Sequence, residues 1–150
     1  MADEVTENTS VNTTPETESI EIGDSILYSV KKMLSLAPDN SDFDSDIIIH
    51  INSVLSILQQ LDIGPKNGYF IEDESTTWTD YLGTDSLHIN MVKSYMGAKV
   101  RLLFDPPVSS AVMDSLNRIC NEFEWRANVS AENHNLNKGV TGNEPDSDNP

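Results

Sequence analysis

Between Phe43 and Gly64 the chain places large apolar residues at helical intervals for about five turns, and only an amphipathic helix gathers them onto one side. The stripe is Ile47, Ile51, Val54, Leu58 and Leu61, flanked by Ile48 and Leu55. At 100° per residue all seven fall within an arc of about 140°. Ser41 or Asp42 is placed to cap this helix, with Asp44 and Asp46 at the positive end of its dipole. Gly64 and Pro65 form a natural stop. Ile49 and Ile57 lie off the arc beside Ser53, Ser56 and Gln60, giving a second, partly apolar face.

Three more helices follow from the same reasoning. The first, behind an Asp24 or Ser25 cap, buries Ile26, Leu27, Val30 and Leu34 and ends before Pro38, which pushes Ala37 into extended backbone. The third, near Ser86 to Phe104, carries Leu87, Met91, Tyr95, Ala98 and Leu102, widened by Val92, Met96 and Leu103. So wide a stripe predicts a central helix touching several neighbours. Asp105-Pro106-Pro107 breaks it, and Ser109 caps a fourth helix with Val112, Met113, Leu116, Ile119, Cys120, Phe123 and Ala127 on one side. Trp125 and Val129 project to the opposite side, near Arg118. The connection from Asp62 to about Asp85 is long for a small domain, and loops of that length are more often functional than idle. Within it Tyr69, Phe70 and Ile71 suit a short strand, and Thr77 to Gly83 suits one capped helical turn. The expected fold is therefore all-α, a compact bundle of about four helices over residues 23–131.

Charge then narrows the function. Acidic residues outnumber Lys plus Arg by 25 to 9, a formal charge of −16. Residues 1–22 and 132–150 are polar and acidic, too poor in apolar groups to offset the entropy of ordering, and are read as a disordered N-terminal and a flexible C-terminal tail. The central segment is acidic as well, which argues against a broad basic face for nucleic acid or an anionic membrane. The residues after Met1 lack the basic and apolar regions of a secretory signal, and no apolar run approaches a membrane span, so a soluble protein made in cytoplasm is expected. The Asn8, Asn12 and Asn128 sequons then have no secretory setting.

Chemistry finds little support. Cys120 stands alone, without a disulfide partner or a set of soft metal ligands. Asp42 to Asp46 imitates the start of a calcium loop, but Ile47 replaces the required glycine and Ser53 the closing glutamate. His50, His88 and His134 have no ligand spacing, and no phosphate-binding glycine loop, GxSxG elbow or HExxH motif occurs. No enzyme activity, cofactor or metal is expected. Lys99 falls inside the apolar arc of the third helix, where its stem should pack while the ammonium reaches solvent; an ion pair with a neighbouring carboxylate is the alternative. Trp125 and Val129 await cover from helix one, from the Trp78 loop, or from another subunit.

Several stretches, in order, resemble the small head-to-tail connector, or head-completion adaptor, proteins of long-tailed bacteriophages, a family also associated with DNA packaging. They are Asp46 to Leu55 with Gly64-Pro65, Thr77 to Gly83, Val100 to Pro107, and Glu122 to Arg126, spanning about residues 24–131. The resemblance implies a virion protein of the neck, assembled in the host cytoplasm. About twelve copies would ring the underside of the portal protein, extend the DNA channel and dock the next neck, stopper or tail-completion protein. DNA would pass without specific binding, no membrane would be involved, and no catalytic residue carries over. Ile49, Ile57, Phe70, Trp78, Trp125 and Val129 are the residues assigned to subunit and partner contact, with Ile49 and Ile57 facing the adjacent copy and Trp125 and Val129 that copy or the portal. The C-terminal tail is expected to gain order along the portal. The rival readings are a packaging accessory protein contacting terminase and an acidic regulator that mimics DNA.

Overall fold

A computed structural model describes residues 24–140, and for residues 133–140 the backbone course alone. The tail read over residues 1–22 lies outside the described residues, as does the part of the tail read over residues 132–150 that follows Val140. Five helices follow in order: α1 (Ile26–Met33), α2 (Asp44–Gln60), α3 (Trp78–Leu82), α4 (Ser86–Phe104) and α5 (Ser110–Val140). Among the described residues there are no strands beyond one isolated bridge between Ser25 and Thr77, and the fold is an all-α bundle.

The apolar stripes of α1 and α2 enter the core as their spacing requires: Ile26, Leu27 and Val30 pack with Ile47, Ile51, Val54, Leu55 and Leu58, all essentially shielded from solvent. The two helices end alike. Ser35 (φ 63°) and Asp62 (φ 61°) take the left-handed conformation. In each case that residue's own amide and the next one bond back to the final helical turn, with Leu36 N to Lys31 O at 2.9 Å and Ile63 N to Leu58 O at 2.9 Å. Thus α1 stops before Pro38 acts on it, and α2 before Gly64. No side chain caps α2: Phe43 occupies that position, and Ser41 contributes only its carbonyl, to Asp44 N.

Helix α4 is central, touching each of the other four. Its deepest seam, Ile89, Val92, Met96 and Val100, faces α1 and α2. Gly97 lets α1 approach closely, with the Met33 thioether in the space a side chain would take. The stripe read from the sequence is displaced: Tyr95 and Ala98 are buried, but Leu87 and Met91 stand exposed on the flank towards α5. That flank is incompletely covered because α5 packs principally on α4 alone. Helix α5 runs past Ala131 to Val140, since no breaker intervenes before Gly139.

The connection from α2 to α4 is folded onto the body. Asn52 on α2 presents its carboxamide to Ile71, accepting from Ile71 N at 2.8 Å and donating to Ile71 O at 3.0 Å. A side-chain amide thus takes the place of a neighbouring strand, and Tyr69 to Ile71 form none. Tyr69 packs on Tyr81, whose hydroxyl donates to Ile63 O at 3.2 Å. Burial first, then the neighbouring Tyr69, pushes the Tyr81 phenol up to about 12. Thr77 and Asp80 form a reciprocal capping box on α3, as the sequence suggests. The chain enters beside it, with Ile26 N on Thr76 O and Trp78 N on Asp24 O, each 3.0 Å.

Candidate functional site

The six residues singled out for subunit or partner contact separate into three environments. Trp78 belongs to the interior: it is fully buried, and its indole donates to Ser29 Oγ at 2.7 Å. Its helical turn is folded back against α1 and α4, so Trp78 is a core residue and unavailable to another chain. Ile57 is half-buried against the core, while Ile49, two turns earlier, is 61% exposed, so of the two isoleucines on the second face of α2 Ile49 alone is open. Phe70 is also exposed, on the loop that Asn52 holds one turn from Ile49. Trp125 and Val129 share the outward flank of α5, the tryptophan 66% exposed. Neither α1 nor the Trp78 loop covers them.

Helix α5 is fixed to the bundle along the opposite flank. Cys120 is its buried residue, and Leu116, Phe123 and Ala127 are partly buried beside it. Phe123 stacks on Tyr95 with ring centres 4.4 Å apart. Glu124 Oε1 accepts from Tyr95 at 2.7 Å and from Lys99 at 2.9 Å, tying three polar groups into one knot. Lys99 therefore makes the ion pair with a neighbouring carboxylate rather than simply reaching solvent. Burial raises the Glu124 carboxyl, but the Lys99 and Tyr95 hydrogen bonds and the Lys99 charge outweigh it and hold the group below its usual range. Burial, reinforced by the bond to Glu124, drives the Tyr95 phenol well up. Burial likewise raises the Cys120 thiol, which makes it a poor nucleophile.

Two features escaped sequence reasoning. Lys31 is wholly buried, its ammonium 2.7 Å from Asp44 Oδ1 and donating to Pro38 O at 2.8 Å, which ties α1 to the start of α2. The second is a groove of about 510 Å³ formed by the turn after α2, the start of α4, and α5. Its apolar lining includes Leu61, Ile63, Leu87, Met91, Phe123 and Ala127, with Asp62, Asp85, His88 and Arg126 among the polar residues bordering it. The sequence carried no sign of it, because Leu87 and Met91 fall within the apolar stripe of α4 and only the fold leaves them uncovered.

Among the described residues no group of three or more His, Cys, Asp or Glu side chains is placed to hold a metal ion. No helix among them is long and apolar enough to cross a membrane. What the surface offers is contact: an aromatic residue on a firmly anchored helix, and an open apolar groove on the other flank of that helix. No curated protein and no solved structure matches the chain. The family described as phage connector protein matches over residues 26–134.

Proposed function

The chain belongs to the phage connector protein family, and from that membership we propose that it acts as the head-to-tail adaptor, ringing the portal and presenting a surface to the next component of the neck. The observation that carries the reading is α5, a helix of 31 residues held by one flank while the other exposes Trp125 and Val129. An aromatic anchor on a rigid element is the usual energetic centre of a protein interface. Ile49 on α2 and Phe70 on the loop that follows are further exposed apolar side chains. Joining needs no reacting group, and the work of the molecule is to hold partners in register.

The charge suits a passage for DNA. With acids outnumbering bases 25 to 9, a channel lined by such subunits repels phosphate and gives the duplex no strong resting place. The neighbours in this scheme are further copies of the chain, the portal, and a stopper or tail-completion protein.

An adaptor stays in the finished particle, whereas a packaging accessory or a regulator leaves before completion. Quantitative mass spectrometry of purified virions tests this directly. The chain should be present at about one copy per portal subunit, in line with a closed ring of matched symmetry. Its absence from mature virions would exclude the adaptor role.

A further inference from the structure

Among the described residues neither the groove nor Trp125 is covered, and their arrangement on α5 relates them. At 100° per residue Trp125 stands about 160° around the helix from Phe123 and Ala127, yet within about 3 Å of them along its axis. Phe123 and Ala127 form one wall of the groove. One flank of the helix thus carries a projection and the other a hollow, at the same height. Two copies placed side by side, with their α5 helices roughly parallel, bring the projection of one against the hollow of the other. A contact of this kind joins different surfaces; with no shift along the helix axis, and a turn from copy to copy that divides a full circle, successive copies close into a ring instead of climbing as a filament.

We propose that Trp125 of one copy seats in the groove between the turn after α2, the start of α4, and α5 of the next copy, which deepens the adaptor reading by naming the partner of this surface. The chemistry of the two sides agrees. An indole is an apolar body with one N–H donor, and the donor needs an acceptor once water is excluded. The hollow supplies apolar side chains, Leu87 the most exposed of them at 72%, and the carboxylates of Asp62 and Asp85 border it. Its volume of about 510 Å³ admits a ring system of this size with room for Val129 beside it. Val129 lies one turn from Trp125 on the same flank and widens the projection.

The test uses the full-length chain without portal, followed by sedimentation as a function of concentration. Trp125→Ala removes the projection and leaves the groove; Leu87→Glu places a charge in the groove and leaves the projection. Both side chains are largely exposed, so the fold should persist, with circular dichroism as the check. The wild-type chain should associate, and each variant should do so at least about 30-fold more weakly. An equimolar mixture of the two variants retains one intact projection and one intact groove. It should form one-to-one dimers that do not grow further. Self-association by either variant at wild-type strength would overturn the proposal, as would a variant mixture no more associated than its components. So would a wild-type chain still monomeric at about 1 mM. These solutions contain no portal. A chain that fails here but binds portal would keep the adaptor role and lose this contact, and one that passes here but ignores portal would do the reverse.

Discussion

Lys31 shows how much one residue contributes to the frame on which the exposed surfaces are carried. Its ammonium is out of solvent, held by Asp44 and the Pro38 carbonyl and 5.6 Å from the Tyr28 ring centre. Removing one member of such a pair strands the other charge, whereas replacing both members together by uncharged side chains removes the difficulty. Asp44→Ala should therefore lower stability by about 3 kcal/mol, and the double variant Lys31→Met, Asp44→Ala should cost less than Asp44→Ala alone. Urea unfolding midpoints of the two variants provide the comparison. Asp44 looked from the sequence like a dipole-complementing residue at the start of α2, and it does stand in the first turn. Its partner was unreadable, because a buried lysine carries no periodic signature and the pair spans the α1–α2 connection. Trp78 was misread for a related reason. An aromatic in a loop looks available until the loop is seen folded onto α1, with Ser29 positioned to receive the indole.

At the scale of elements, the stripes of α1 and α2 were legible because each of these helices buries one continuous arc. Helix α4 divides its apolar surface among several neighbours, so an average over its length misjudged Leu87 and Met91. The way α5 docks has a pH signature. The Glu124 carboxyl sits below its ordinary value of 4.5 in the folded protein. A carboxyl with a depressed folded-state pKa stabilises the fold fully above its unfolded value, and the contribution is lost as pH falls through the folded value. The junction of α4 and α5 should accordingly weaken in acid, below about pH 4.5. Glu124→Gln should reduce stability near neutral pH and flatten the acid limb of the stability profile. Denaturant unfolding at a series of pH values measures both effects. An acid limb as steep in the variant as in the wild-type chain would place the titrating group elsewhere.

For the whole molecule, the all-α architecture and the central position of α4 follow from capping, breakers and apolar spacing, and the family from a handful of ordered stretches. Contact surfaces are harder to read in a sequence, since an apolar residue off the main stripe suits a buried helix and an interface equally. Ile57 is partly buried against the core, whereas Ile49 stands exposed. The groove belongs to no single element: the turn after α2, the start of α4, and α5 each supply part of it, and their relative placement is a tertiary property. The central claim, that this member of the connector family joins the portal as an adaptor, is tested most directly by the mass of the purified chain alone and mixed with the portal of its phage, determined by light scattering. The expected result is a portal-bound complex carrying many copies of the chain in a ring. A chain whose mass stays that of the free protein in the presence of portal would contradict the account.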